Sequence, residues 1–325
     1  MLPFELRPAI KDYIWGGTRL RDEFGKRSDL ERLAESWELS CHPDGMSTVA
    51  SGTYEGKSLA ELIDSHPEIC GGSCRNAEDF PVLVKLIDAR ADLSVQVHPD
   101  DDYARTYENS NGKTEMWYII DAQEGAELIY GFREKISTEE FRRAVEQNTL
   151  LDYVRRVPVR SGDVFFIKPG TLHAIGKGIL IAEIQQSSNI TYRVYDYGRL
   201  GADGKPRELH IDKALAVADT SPADTPYGQP HTSDMEGILS ASLASCRYFT
   251  ADRFDVTSSM ALAPMDTFRH ILVLDGEADI TCGHERLLHI TKGSSIFVPA
   301  GADMCYIKGK CRILITTTQY YKEEN

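Results

Sequence analysis

The chain has 325 residues, with 50 acidic against 36 basic residues and a formal net charge of −14, and that length is enough for two domains and a large buried core. Such a charge repels phosphate backbones and anionic membrane surfaces, and no apolar run approaches the roughly 20 residues of a membrane helix, so neither nucleic acid nor membrane is an expected partner. The seven cysteines are odd in number and scattered, and Met1 runs straight into charged residues with no signal peptide, which points to a reducing cytoplasm.

Residues 1–56 read as short strands and turns, with Ile14-Trp15-Gly16-Gly17 as a turn and Glu35 to Ser40 alternating polar with apolar; Trp15 and Trp37 are expected in the core. Ser58 and Glu61 form a capping box that opens a short helix. Cys70 and Cys74 are close in sequence, but no second pair with zinc-ribbon spacing accompanies them, so they read as ordinary thiols. From Phe80 to Val97 a run rich in β-branched residues is broken once at Asp88-Ala89-Arg90, which predicts two consecutive strands. After Glu115 the pattern predicts a hairpin turning at Glu124-Gly125. Ser137 and Glu140 form a second capping box, and the Phe141, Ala144, Val145 spacing predicts a packing helix to about Val154. Val164–Ile167, Ile179–Gln186 and Tyr192–Tyr195 read as strands. Residues 198–235 have linker composition around a helix near 211–218.

Chemistry concentrates in three segments. Side chains two apart on a strand share a face, so S-V-Q-V-H-P-D (94–100) places Gln96 with His98, and K-T-E-M-W-Y (113–118) places Lys113 with Glu115. S-G-D-V-F-F-I-K-P-G-T-L-H (161–173) adds His173 after a strand and a Pro-Gly turn. Gln96, His98, Glu115 and His173 form a mixed nitrogen and oxygen set that suits zinc or a neighbouring divalent ion. Downstream, Glu183, Gln185, Ser187, Asn189, Thr191 and Arg193 have one parity, and an unbroken strand would turn that polar row toward one face.

The two-part pattern of His, Glu and a later Gly-Asp-x-x-x-Ile-x-Pro-Gly-x-x-His resembles a cupin metal site, with Gln96 where many cupins have their first histidine. Q-V-H-P-D-D, K-T-E-M-W-Y, P-G-T-L-H-A-I-G and E-I-Q-Q-S-S-N-I-T-Y-R-V-Y-D, together with Y-I-W-G-G, E-S-W-E-L-S-C-H-P-D-G and P-R-E-L-H-I-D-K-A-L, resemble the type I mannose-6-phosphate isomerases, in their short bacterial form. The resemblance implies a mainly β fold: two cupin (jelly-roll) β-barrels with a few helices inserted. It implies a metal-binding catalytic domain over 1–230, with a helical insert at about 137–154 and a linker helix at about 211–218. Residues 236–325 look like a faded repeat of the first half: R-H-I-L-V-L-D-G-E-A-D-I echoes the strand from Glu115, and Met304 stands where the metal histidine is expected. A thioether is a poor zinc ligand beside oxygen donors, so this second barrel is expected to be metal-free.

The function implied is aldose–ketose isomerisation between mannose 6-phosphate and fructose 6-phosphate through an enediol(ate), with one Zn2+ per chain as Lewis acid and a small sugar phosphate as partner. The resemblance carries Glu183 and Arg193 into the active site and places Trp15 and Glu35 near its mouth; Lys113 and Arg193 would supply fixed positive charge. The proton-transfer group stays open. Two other readings share the ligand set, a non-catalytic sugar-binding or regulatory cupin and an iron-dependent cupin dioxygenase, and fold alone does not separate them.

Overall fold

The strands Val82–Ala89 and Ile179–Gln186 explain how this sequence builds a polar site inside a sheet. Each is eight residues long and buried throughout, and they run antiparallel with Lys85 opposite Glu183. Alternation sends Val82, Val84, Leu86, Leu180, Ala182 and Ile184 to one face, into a core that also holds Phe249, Phe268, Leu272, Phe297 and Leu314 from the C-terminal half. Ile87, Ala89, Ile179 and Ile181 take the other face, against Leu128, Tyr130 and Val157 of a facing sheet. Lys85 and Glu183 share the parity of this inner face.

The computed structural model describes residues 1–201, 204–235, 237–282 and 285–318. It is mainly β, in two halves. The first half has a seven-stranded sheet in the order Tyr227–Gly228, Val164–Ile167, Glu115–Ala122, Ile179–Gln186, Val82–Ala89, Glu35–Leu39, Ala9–Lys11. A five-stranded sheet faces it, in the order Tyr192–Tyr195, Val95–Val97, His173–Ala174, Glu127–Phe132, Val154–Pro158. The second half is a ten-stranded sheet built on the long pair Arg269–Cys282 and Cys305–Thr317, around a core of Ile271, Val273, Ile280, Ile296, Ile307 and Ile313. The N-terminal strand Phe4–Arg7 belongs to this last sheet, paired with Ser295–Val298, so the halves are joined by backbone hydrogen bonds as well as by the linker.

Several expectations change in detail. The turn at Glu124-Gly125 is present, with Gly125 at φ 77, but it does not close a hairpin. Glu115–Ala122 lies in the seven-stranded sheet and Glu127–Phe132 in the five-stranded one, so the turn is a corner between sheets. The same crossing splits the polar row after Gln186: Ile179–Gln186 ends in one sheet and Tyr192–Tyr195 begins in the other. The helix opened by Ser137 has its capping box but covers only Thr138–Glu146; Asn148 adopts φ 58, a left-handed conformation that ends helices, and a strand has begun by Val154. Phe141 and Val145 pack with Phe132, Ile136 and Leu150, and Ala144 is buried. The linker helix spans Ile211–Val217. Cys282 and Cys305 form a disulfide, being cross-strand partners with Cα atoms 4.3 Å apart, while Cys41, Cys70, Cys74, Cys246 and Cys311 are free thiols. A separation of 23 residues gives no sign of that pairing until the strands are in register. No helix among the described residues is long and apolar enough to cross a membrane.

A buried polar network ties the halves together. The Lys26 ammonium donates to Glu38 Oε2 at 2.7 Å and to the Gly293 carbonyl at 2.5 Å. Ser295 Oγ donates to the Glu38 carbonyl at 2.9 Å and lies 2.8 Å from His270 Nε2, so that nitrogen is the donor to the hydroxyl. Burial, then the charge of Lys26, pushes the fully buried His270 down to about 3. Below the ordinary histidine value of about 6.5, the unfolded chain takes up a proton that the folded chain refuses until pH nears that lower value. The unfolded state then binds more protons, and stability falls on acidification by about 1.4 kcal/mol per pH unit from this group. His270→Gln should therefore lose stability less steeply than the parent between about pH 6 and pH 4.5, read as melting temperature against pH. Parallel curves for the two proteins would contradict the assignment.

Candidate metal centre and active site

The register of three strands brings the sequence-predicted donors together. His173 lies directly across from Gln96, His98 follows the strand Val95–Val97, and Glu115 opens the strand Glu115–Ala122. Gly170, at φ 83, turns the chain before His173, and its amide donates to the His98 carbonyl at 2.9 Å. Ligand atoms of His98, Glu115 and His173 lie within 4.8 Å of one another. His98 Nε2 is 3.6 Å from Glu115 Oε2, His173 Nε2 is 3.3 Å from Glu115 Oε1, and the Gln96 amide nitrogen is 3.4 Å from His173 Nε2.

The electrostatics of this cluster fit a cation. Glu115 is fully buried, and its Oε1 has no hydrogen-bond partner among the described residues, a state that is costly for a carboxylate unless positive charge is supplied. Burial, with Glu183 adding to it, outweighs Lys113 and pushes Glu115 up to about 7. Burial also drives His98 well down and His173 to about 4, so both imidazoles are neutral, the form that ligates. His173 Nδ1 lies 2.8 Å from the Thr171 carbonyl; only a protonated Nδ1 can donate there, which leaves the Nε2 lone pair facing the cluster. His98, Glu115 and His173 make a two-imidazole, one-carboxylate set, and a Gln96 amide turned to offer its oxygen would complete donor types suited to zinc or a similar divalent ion.

A second buried cluster adjoins the first. Across the seven-stranded sheet, Trp37, Lys85, Glu183 and Trp117 are successive register partners. The indole of Trp117 donates to Glu183 at 2.8 Å and that of Trp37 to Glu35 at 2.7 Å, and the Lys85 ammonium lies between the two carboxylates, 3.3 Å from Glu183 and 3.7 Å from Glu35. Lys113 is 2.5 Å from Glu115, 3.1 Å from His98 Nε2 and 4.0 Å from Glu183. Burial alone would raise Glu183, but Lys113, Lys85 and the Trp117 indole hold it down at about 2. Burial alone would lower Lys85, but Glu35, Glu183 and Glu115 push it up. Both groups are therefore ionised inside the sheet.

Glu35, Lys85, Lys113 and Glu183 line a cavity of about 280 Å3 whose other walls include Trp15, Leu93, Ser94, Asn189, Thr191 and Arg193. Although the polar row is split between sheets, Glu183, Asn189, Thr191 and Arg193 all reach this cavity. Gln185 turns back instead, donating to the carbonyls of Gln186 and Ser188. Arg193 donates to Ser94 Oγ at 3.3 Å and to the Glu208 carbonyl at 2.8 Å, and it forms no ion pair among the described residues. Asp196, its nearby acid, is taken by Arg199 and Arg207. Burial and the neighbouring Arg207 lower Arg193 from its usual value, which marks a place where an anion is favoured.

Lys85 and Arg207 were given no role by the sequence reading, yet both face the cavity. The one signal for Lys85 is a lone cation in V-L-V-K-L-I-D-A, a strand buried on both faces, where a charge needs a partner. On the other half, Met304 is 41% exposed just before the strand Cys305–Thr317, turned away from the apolar interior.

The chain matches the family model described as phosphomannose isomerase type I, catalytic domain, over residues 3–134, and the mannose-6-phosphate isomerase cupin domain over 240–318. Mannose-6-phosphate isomerase ManA of Bacillus subtilis is 39% identical over 315 residues, covering 97% of this chain and 98% of that protein. The mannose-6-phosphate isomerase of Streptococcus mutans is 40% identical over 91% of this chain and 92% of its own. The crystal structure of the mannose 6-phosphate isomerase from Bacillus subtilis superposes with a TM-score of 0.91 over 97% of this chain and 99% of that one. Given identity of this level along nearly the whole of both chains, the protein belongs to the type I phosphomannose isomerase family.

Proposed function

We propose that the protein interconverts mannose 6-phosphate and fructose 6-phosphate, with one divalent ion, zinc, held by Gln96, His98, Glu115 and His173. The observation that carries this reading is the buried His98–Glu115–His173 cluster beside a cavity lined by Lys85, Lys113, Glu183 and Arg193. When bound, the ion supplies Lewis acidity toward the sugar oxygens at C1 and C2. The protein's own groups do the rest. The reaction moves one proton from C2 to C1 and one from O2 to O1, so no oxidant or reductant is needed. Glu183 and Lys85, a carboxylate and an ammonium 3.3 Å apart, would hold fixed charge beside the reacting carbons. Lys113 supplies fixed positive charge where the enediolate forms. Arg193, desolvated and in no ion pair among the described residues, holds substrate anion by the two-pronged hydrogen bonding a guanidinium offers. The apolar interior of the second half and the outward Met304 support a metal-free, structural role for residues 236–325. A substrate that its charge retains inside cells supports a cytoplasmic site of action.

A coupled assay with mannose 6-phosphate should show turnover that chelation abolishes and zinc restores. In parallel, the His98→Ala/His173→Ala double variant should retain metal at least ten-fold less well by elemental analysis; undiminished metal in that variant would remove these residues as ligands.

Arg193→Lys keeps the charge and loses the fork. Turnover should drop by about 100-fold with the melting temperature unchanged. Near-normal kcat in a well-folded variant would take Arg193 out of the catalytic machinery.

A further inference from the structure

The second half of the chain reaches the active site without contributing a side chain to it. Tyr248 sits in the turn between the strands Ile238–Ser245 and Thr250–Val256, and its hydroxyl donates to Asp101 Oδ2 at 2.6 Å. Asp101 is buried at the start of the helix Asp101–Tyr107 in the first half. Its other oxygen accepts from the Gly112 amide at 2.9 Å and from Gln186 Nε2 at 2.9 Å. Gln186 in turn uses its Oε1 to accept from the Thr114 amide at 2.8 Å, and the Lys113 amide donates to the carbonyl of Pro99, next to His98, at 3.0 Å. Three successive amides, 112 to 114, are thus each anchored, two of them through Asp101.

The packing leaves this segment no slack. A Cβ at Gly112 would lie 2.5 Å from the carbonyl carbon of Asp100 and the amide nitrogen of Asp101, far inside contact distance, so the backbone rests directly on the start of the helix. Lys113 leaves this clamped segment to place its ammonium 2.5 Å from Glu115 and 3.1 Å from His98 Nε2. Burial, then the hydrogen bond to Asp101, pushes Tyr248 up to about 12, which keeps its hydroxyl a donor. Burial would raise Asp101, but its bonds to Tyr248, Gly112 and Gln186 hold it down. Arg105 is a looser neighbour, 3.7 Å from the same carboxylate and largely exposed.

We propose that Tyr248 is a positioning residue for the isomerase: it fixes Asp101, Asp101 fixes the Gly112–Thr114 backbone, and that backbone sets where the Lys113 ammonium stands. The inference rests on the role given above to Lys113. It assigns the C-terminal half a part in catalysis through structure, by one side chain crossing the boundary between halves.

The test uses the full-length, zinc-loaded protein and a double-mutant cycle. Tyr248→Phe removes one hydroxyl; it should lower kcat about ten-fold, as small misplacements of a catalytic group do, with KM and zinc content changed less than about two-fold. In a Lys113→Met background the same change should add no further loss. Hydrogen exchange supplies a readout that needs no turnover: peptides covering 110–116 should exchange at least about ten times faster in Tyr248→Phe, with those covering Val82–Ala89 unchanged. Asp101→Asn, approached from the other end of the bond, should reproduce both effects. Unaltered protection of 110–116 would overturn the proposal, as would a kcat loss of equal size with and without Lys113. A protein that shows the exchange effect but no isomerase activity at all would retain the clamp and overturn the functional reading instead.

Discussion

Charge buried in a β-sheet is the constraint on which the rest of this molecule depends. Lys85, Lys113, Glu115 and Glu183 are each at most 4% exposed, and removing an ion from water costs several kcal/mol even after the protein relaxes. The surrounding structure answers that cost group by group. Indole donors hold Glu35 and Glu183, Lys85 is shared between two carboxylates, and Lys113 bridges Glu115 and His98. Of these four groups, what remains uncompensated among the described residues is Glu115 Oε1, facing two neutral imidazoles, and that residual deficit is what the proposed cation would answer.

The same constraint gives the second half a purpose beyond bulk. Strands that carry ions on one face need an apolar cover on the other, and Val84, Leu86, Leu180, Ala182 and Ile184 find theirs in Phe249, Phe268, Leu272 and Phe297. Without that cover the central strands would expose a continuous apolar face. The Lys26–Glu38 pair, reached by Gly293 and Ser295, and the Tyr248–Asp101 bond add directional contacts to a boundary that hydrophobic burial alone would leave free to slide.

Much of the site was legible in the sequence because strand parity is local. The period of two paired Gln96 with His98 and Lys113 with Glu115, although His98 and Lys113 lie just outside the strands Val95–Val97 and Glu115–Ala122, and His173 needed a recognisable turn before it. The resemblance to a known family then joined segments that parity could not. Lys85 was missed because a single cation in an apolar strand becomes meaningful only when the neighbouring strand supplies Glu183 opposite it. Which strands are neighbours is a long-range fact, and the turn at Gly125 shows the difficulty: its local chemistry is that of a hairpin, yet its two strands enter different sheets. The polar row from Glu183 to Arg193 failed as one strand for the same reason, although the crossing at 187–191 still delivers Asn189, Thr191 and Arg193 to the cavity. The Cys282–Cys305 pairing depends on the register of two long strands, which no local pattern reveals.

The central claim, that this buried deficit of positive charge is met by one divalent ion on two imidazoles and two oxygen donors, is tested most directly by metal-edge X-ray absorption on the purified, unsupplemented protein. The account predicts about one zinc per chain, with a shell of nitrogen and oxygen at about 2.0–2.2 Å, imidazole scattering beyond it, and no sulfur. A sulfur shell at about 2.3 Å, which would place the ion at cysteines instead, or a metal content far below one per chain, would contradict it.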